Sequence, residues 1–197
     1  MSDTTAEERI ESAIDCSVNT IGSLKSHIKK TREICQCLVS ALREGGKVLT
    51  AGNGGSAAEA LHMSEELVGR FRTNRRSLPA ISLVADTTAL TCIGNDFGFD
   101  SIFSRQIEGL GCAGDVLVVF STSGNAANLA LAVDAARAVG MSVVSLLGRD
   151  GGGLAGKSDH EIVVDGSATE RIQEAHQVLL HVMLDAVEEA FPEETQA

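Results

Sequence analysis

The chain has 197 residues, 44% of them apolar, with 20 glycines and 2 prolines, which is the composition of one folded domain whose core is built from Leu, Val, Ile and Ala. Six Phe and neither Trp nor Tyr leave no aromatic platform for stacking single-stranded nucleic acid, and a net charge of −11 opposes nonspecific binding to DNA or to anionic membranes. No apolar run approaches the ~20 residues that span a bilayer, the acidic N-terminus is unlike a secretory signal, and five irregularly spaced cysteines (Cys16, Cys35, Cys37, Cys92, Cys112) fit reduced thiols, so a cytoplasmic location is expected.

From about Thr5 to Arg43, apolar residues including Ile10, Ile14, Val18, Ile21, Ile34, Leu38 and Leu42 recur at spacings of three and four. This predicts one long helix or two joined helices, ended by Gly45-Gly46. Residues 1–45 thus form a helical region ahead of an α/β core over 46–197, all within a single domain. Such helices have little to pack on within their own chain, so association with further copies is expected.

Short apolar runs then alternate with helical patterns. Strands are predicted over 47–51, 80–85, 116–120, 142–147 and 161–164. Helices are predicted over 57–71, 87–93, 101–109 and 125–139, and a long amphipathic one closes the chain over about 169–191. The strands lack clean alternation, as parallel strands covered on both faces do. The predicted architecture is a three-layer α/β/α sandwich with a mostly parallel five-stranded sheet, in which ligands bind beyond the carboxyl ends of the strands.

Four elements carry candidate chemistry. Ala51-Gly52-Asn53-Gly54-Gly55-Ser56 joins a strand to a helix through small residues that leave backbone N–H groups and a hydroxyl open to an anionic or hydroxylated ligand. One turn on, His62 and Glu66 lie roughly 40° apart on one helix face, close enough to share a metal ion or a substrate. Ser121-Thr122-Ser123-Gly124-Asn125 follows a buried strand and precedes a helix, where three hydroxyls suit a sugar phosphate, although ordinary helix capping would use one of them. On the last helix, Gln173 and His181 join His62 and Glu66 as a two-nitrogen, two-oxygen set of a kind that suits Zn²⁺, and the apolar neighbours of His181 predict that its side is largely buried. His176 falls nearer another face. Gly94-Asn95-Asp96-Phe97-Gly98 reads as a turn after a short helix, and Arg70 either pairs with a phosphate or lies along the surface.

Together these strings resemble the sedoheptulose 7-phosphate isomerase (phosphoheptose isomerase) family, a branch of the sugar isomerase (SIS) domain superfamily. The resemblance rests on Gly52–Ser56, on His62-Met63-Ser64-Glu65-Glu66-Leu67-Val68-Gly69-Arg70-Phe71, on 94–98 and 121–125, on Gly151-Gly152-Gly153 and on Arg171-Ile172-Gln173-Glu174-Ala175-His176. It spans nearly the whole chain in order. It implies a cytoplasmic homotetramer that converts sedoheptulose 7-phosphate to D-glycero-D-manno-heptose 7-phosphate, the start of heptose synthesis for lipopolysaccharide and other cell-surface polysaccharide. His62, Glu66, Gln173 and His181 match the family's zinc positions, with one Zn²⁺ expected per subunit. Asn53, Gly54, Gly55, Asn95 and Asp96 match substrate-contacting positions, and Ser56, Arg70, Glu66 and Gln173 are expected in the same substrate-binding set. Ser121, Thr122 and Ser123 match phosphate-binding hydroxyls. Two positions depart: Ala126 stands where many members have a further phosphate-contacting Ser, and Glu170 where an Asp is often found.

Aldose–ketose isomerisation passes through an ene-diol and needs a base within reach of two carbons, a carrier for the hydroxyl proton and charge stabilisation at the oxygen. Glu66 is the expected carbon base and His181 the expected oxygen-proton carrier, with the constraint that a carboxylate held tightly on a metal is a weakened base. Two other classes fit the fold: an adaptor that binds the replication initiator protein without catalysis, and an isomerase or sensor of another phosphosugar. The adaptors resemble the chain in fold but lack the complete His/Glu metal pair, which is intact here.

Overall fold

The computed structural model describes residues 5–193; the remaining residues of the expected 1–197 domain lie outside the described ones. The five strands are β1 (Val48–Gly52), β2 (Ala80–Ser82), β3 (Val116–Ser121), β4 (Ser142–Gly148) and β5 (His160–Val164), all parallel in the order β2-β1-β3-β4-β5. Along β1 and β3 successive side chains enter different cores: Val48, Val116 and Val118 pack in one cluster, Leu49, Leu117 and Val119 in the other. Both faces of these strands are therefore apolar, and the alternation that marks a half-exposed sheet has no reason to arise.

Helices α2 (Ile28–Arg43), α3 (Gly55–Val68) and α7 (Thr169–Ala190) cover one face, and α5 (Ser104–Leu110) and α6 (Ala127–Ala138) cover the other. The first core joins Ile34 and Leu38 to Met63, Leu67, Leu179 and Met183; the second joins Phe103 and Ile107 to Leu129 and Val133. This is the three-layer arrangement read from the sequence.

The N-terminal pattern resolves into two helices, α1 (Ala6–Ser23) and α2, joined by a 3₁₀ turn at Leu24–His27. A capping box opens α1, with the Thr5 hydroxyl accepting from Glu8 N–H and the Glu8 carboxylate accepting from Thr5 N–H. The helices differ in burial, but the expectation that they lack an intrachain partner is corrected for both, since each packs on α7 and Arg171 of α7 donates to Ala13 O of α1 (3.0 Å). Six residues of α2 are buried, whereas α1 buries only Thr20 and leaves Ile10, Ile14 and Val18 about 60% exposed.

Some boundaries move for local reasons. The second strand ends at Ser82 rather than 85, because the chain turns there, with Ala85 N–H bonding to Ser82 O. The helix α4 (Thr87–Phe97) runs on through Gly94, Asn95 and Asp96, so these residues form its last turn and not a turn after it; Gly98, at φ +85°, ends it. The helix after β3 starts at Ala127, so Ser121 ends the strand, Thr122 and Ser123 lie in a loop, and none of them caps the helix.

One electrostatic clamp ties the edge of the fold. The buried Asp115 carboxylate, just before β3, accepts from Lys47 N–H (2.9 Å), Lys47 Nζ (2.5 Å) and Cys112 N–H (2.8 Å). Asp115→Ala leaves these donors without their acceptor and should cost about 2–4 kcal/mol, read as a lower urea midpoint at unchanged m-value. A loss under about 0.5 kcal/mol would show that water replaces the carboxylate at no penalty.

Candidate functional site

With β2 on one side of β1 and β3 on the other, the chain reverses direction across the sheet at the β1/β3 pair. In doubly wound sheets, ligands bind beyond the strand ends at such a pair. Both glycine- and serine-rich loops singled out in the sequence leave the sheet at this point.

The β1 loop is built on close approaches. A Cβ on Gly52 would meet the Ser56 backbone, and Gly54 takes φ +59°, a conformation that favours glycine. Ser56 N–H bonds back to Asn53 O (3.0 Å) and starts α3, with Ser56 itself buried. Gly55 lets the Gln173 side chain of α7 lie against the loop; a Cβ there would collide with the Gln173 amide. The Asn53 amide pairs reciprocally with that of Asn128 at the start of α6, 2.9 Å in each direction, which fixes the β1 and β3 loops to each other.

In the β3 loop, the buried Ser121 hydroxyl accepts from Gly124 N–H (3.0 Å) and shapes the turn, while Thr122 and Ser123 are partly exposed. Gly124, at φ +63°, packs on the backbone of Gly151, so that a side chain there would strike the carbonyl. Asn125 Oδ1 accepts from Gly153 N–H (2.9 Å) and Leu154 N–H bonds to Gly124 O (3.0 Å). The three-glycine run after β4 is thereby explained as a close-packed partner of the serine loop.

Helices α3 and α7 lie side by side on one face of the sheet. His62 Nε2 is 3.3 Å from Glu66 Oε1, one turn along α3. From α7, the Gln177 amide nitrogen sits between His62 Nδ1 (2.5 Å) and His181 Nε2 (3.2 Å). The two imidazoles meet edge to face, centroids 5.2 Å apart, and the face of His181 stacks on Phe71 at 5.6 Å and 22°. Burial, then the neighbouring His62, lowers the His181 pKa from the usual imidazole range, with Glu66 opposing the shift. His181 is half-buried rather than largely buried as expected. The enclosed histidine is His176, whose Nε2 donates to Leu147 O (3.1 Å) while Nδ1 lies 3.8 Å from the buried Glu59 carboxylate of α3.

The chain beyond α3 is tied back to the same helices. The buried Arg75 guanidinium donates to Glu66 O (2.7 Å) and Leu67 O (2.9 Å), satisfying carbonyls at the C-terminal end of α3. The Glu188 carboxylate on α7 accepts from the N–H groups of Phe71, Arg72 and Thr73. Burial alone would raise the Glu188 pKa, but these bonds and the Arg75 charge outweigh it and hold the carboxyl below its ordinary value.

The structure therefore brings His62, Glu66 and His181 together, with Gln173 two turns before His181 on α7, against Gly55. Arg70 is exposed just past α3, and Asn95 and Asp96 are exposed at the end of α4, bonded to each other at 2.7 Å. Sequence reasoning missed Gln177 and Glu65. Gln177 was detectable as the middle of the i, i+4, i+8 stripe Gln173-Gln177-His181; Glu65, exposed beside Glu66, joins His62 and Glu66 in a cluster whose ligand atoms lie within 4.8 Å of one another.

That cluster fits a metal ion. Two ligands held ~2.0–2.1 Å from one tetrahedral ion lie about 3.3–3.4 Å apart, and His62 Nε2 and Glu66 Oε1 are 3.3 Å apart. Imidazole and carboxylate donors are of the borderline-to-hard type that a divalent first-row ion takes.

The SIS domain family matches residues 6–148, which places the molecule among sugar-isomerase-type α/β domains. A phosphoheptose isomerase of Campylobacter concisus is 48% identical over 174 residues, 88% of either chain, and one of Fusobacterium nucleatum is 46% identical over 166 residues, 84% of this chain and 85% of that one. The solved phosphoheptose isomerase of Neisseria gonorrhoeae superposes with a TM-score of 0.87 at 41% identity, covering 94% of this chain and 100% of that one. The corresponding structure from Francisella tularensis gives 0.91 at 33%, covering 94% and 99%. The chain belongs to the phosphoheptose isomerase family of SIS-domain proteins.

Proposed function

We infer that the protein is an aldose–ketose isomerase acting on sedoheptulose 7-phosphate to give D-glycero-D-manno-heptose 7-phosphate, as its relatives' name implies. The observation that carries this reading is the convergence of His62 and Glu66 of α3 with His181 of α7 in a chain nearly half identical to phosphoheptose isomerases. An adaptor would have no need of that constellation.

Each part of the site has a task in this reaction. Thr122, Ser123 and the N–H groups of the β3 loop receive the phosphate, with Ser121 holding the loop in shape. The β1 loop, with Asn53, Gly54, Gly55 and Ser56, faces the sugar; the Asn53–Asn128 pair keeps the two loops at a fixed separation. Arg70, Asn95 and Asp96 complete the substrate-binding set, with Gln173 of α7 against the sugar-facing loop. Glu66 takes the proton from one carbon and returns it to the next. His181, its pKa lowered by burial and by the neighbouring His62, accepts the hydroxyl proton and hands it back. His62, Glu66, Gln173 and His181 would hold Zn²⁺, which when bound supplies positive charge to polarise the sugar carbonyl.

Glu66→Gln keeps the side-chain size and removes the base. Incubated with sedoheptulose 7-phosphate and followed by NMR, this variant should lose at least ~100-fold in kcat while the wild-type protein forms the aldose. Near-normal turnover would remove Glu66 from the role; no conversion by the wild type, with or without added Zn²⁺, would overturn the isomerase reading itself.

The reading extends to assembly. Ile10, Ile14 and Val18 on α1, Ile28 on α2 and Val182 on α7 are large, apolar and exposed, and an apolar groove between α2 and α7 lies beside them. Copies of this chain cover that face in a homotetramer. Solution mass by light scattering should be four times the chain mass, and charged substitutions at Ile14 and Val18 should lower it; a monomeric wild-type protein would contradict the assembly. Among the described residues no helix is long and apolar enough to cross a membrane, and a cytoplasmic site of action accompanies this function.

A further inference from the structure

Gly69 to Pro79 contains neither helix nor strand, so local backbone bonding does not fix where Phe71 sits. The fixing comes from a distant residue. Glu188, buried near the end of α7, uses both carboxylate oxygens: Phe71 N–H at 3.2 Å and Arg72 N–H at 3.0 Å reach Oε1, and Arg72 and Thr73 N–H at 3.0 Å reach Oε2. Such charge-assisted bonds to a row of backbone donors are the stronger kind and set the path of this segment rather than one contact in it. Arg72 adds a second tie, with its guanidinium 2.7 Å from Asp185 of α7 and 4.8 Å from the Phe71 ring centre.

Held in this way, the Phe71 ring lies nearly parallel to the His181 imidazole, which has His62 at its edge and the Gln177 amide at its Nε2. A half-buried histidine can rotate about its last side-chain torsion, which is broad. The stacked Phe71 ring, the nearly perpendicular His62 ring and the Gln177 amide together restrict that rotation. His181, Asp185 and Glu188 follow one another at spacings of four and three, so a single stripe of α7 carries both the imidazole and the anchors of the ring stacked on it.

We propose that Phe71 is a positioning residue for His181, held in register by Glu188 through the N–H groups of 71–73. The proposal rests on the isomerase reading for its effect on rate, but not for its effect on the imidazole. A purely structural role for Phe71 would need only apolar volume, which Leu supplies; orienting His181 needs a flat ring.

The test compares full-length Phe71→Leu, Phe71→Tyr, Glu188→Gln and Glu188→Ala with the wild type, using histidine-labelled protein and sedoheptulose 7-phosphate turnover. In Phe71→Leu the His181 ring-proton resonances should move downfield as the stacked ring's shielding is lost. The same variant should lower kcat ~10- to 100-fold at nearly constant KM, as misorientation of a reacting group does. Phe71→Tyr should recover both, and Glu188→Ala should reproduce the Leu variant's shift although Glu188 does not touch His181. Glu188→Gln, which retains a carbonyl acceptor, should fall between and covers the case in which the Ala variant does not fold. Unmoved His181 resonances and unchanged kcat in Phe71→Leu would overturn the proposal, as would equal losses in the Leu and Tyr variants. A wild-type protein inactive on the sugar phosphate would overturn the isomerase reading, and the His181 resonances would then decide the positioning claim alone.

Discussion

The parallel packing of α3 on α7 is the constraint on which the site depends. The two helices are far apart in sequence, and neither carries a complete set of reactive groups. Their contacts form a ladder along the shared axis: Gly55 against Gln173, Glu59 beside His176, His62 against Gln177 and His181, and the segment just past α3 against His181 and Glu188. Apolar burial drives the association through Ala60, Met63 and Leu67 on one side and Ala175, Leu179 and Met183 on the other. The polar rungs contribute registry. Sliding one helix by a turn would separate His62 from His181 and leave Glu59 and His176 buried away from each other, a costly outcome for two groups in a nearly dry interior.

The sheet supplies the second coordinate. Because strand order reverses between β1 and β3, two loops diverge above the helices, and close backbone approaches hold each of them. Gly52 accommodates the start of α3, Gly55 accommodates Gln173, and Gly124 accommodates the backbone of Gly151. In each case the missing side chain is the functional feature. The Asn53–Asn128 pair then sets the distance between the β1 and β3 loops.

Much of this was legible in the sequence because it is encoded locally. Apolar runs without alternation announced buried parallel strands, and the small-residue turns announced the loops above them. His62 and Glu66 declared themselves by a four-residue spacing on one helix. What the sequence could not show was how side chains on different elements divide labour. Buried apolar neighbours pointed to His181, yet full burial falls on His176, since helix phase against a distant sheet decides which residue turns inward. Gln177 was marked only by its place between Gln173 and His181, and Glu188 looked like one of many surface acids in a chain of net charge −11. Its burial beneath the N–H groups of 71–73 is a tertiary fact. Asn95 and Asp96 were read as a turn because their composition favours one, but helix propagation from α4 overrode that preference until Gly98.

The central claim is that α3 and α7 together hold one metal ion between them. Crystals of the zinc-loaded protein, with diffraction collected on both sides of the zinc edge, test it most directly. The account predicts one anomalous peak per chain, within bonding distance of His62 and Glu66 from α3 and of Gln173 and His181 from α7. A peak bounded by α3 residues alone, as a His62-Glu65-Glu66 site would give, or a peak elsewhere on the chain, would contradict it.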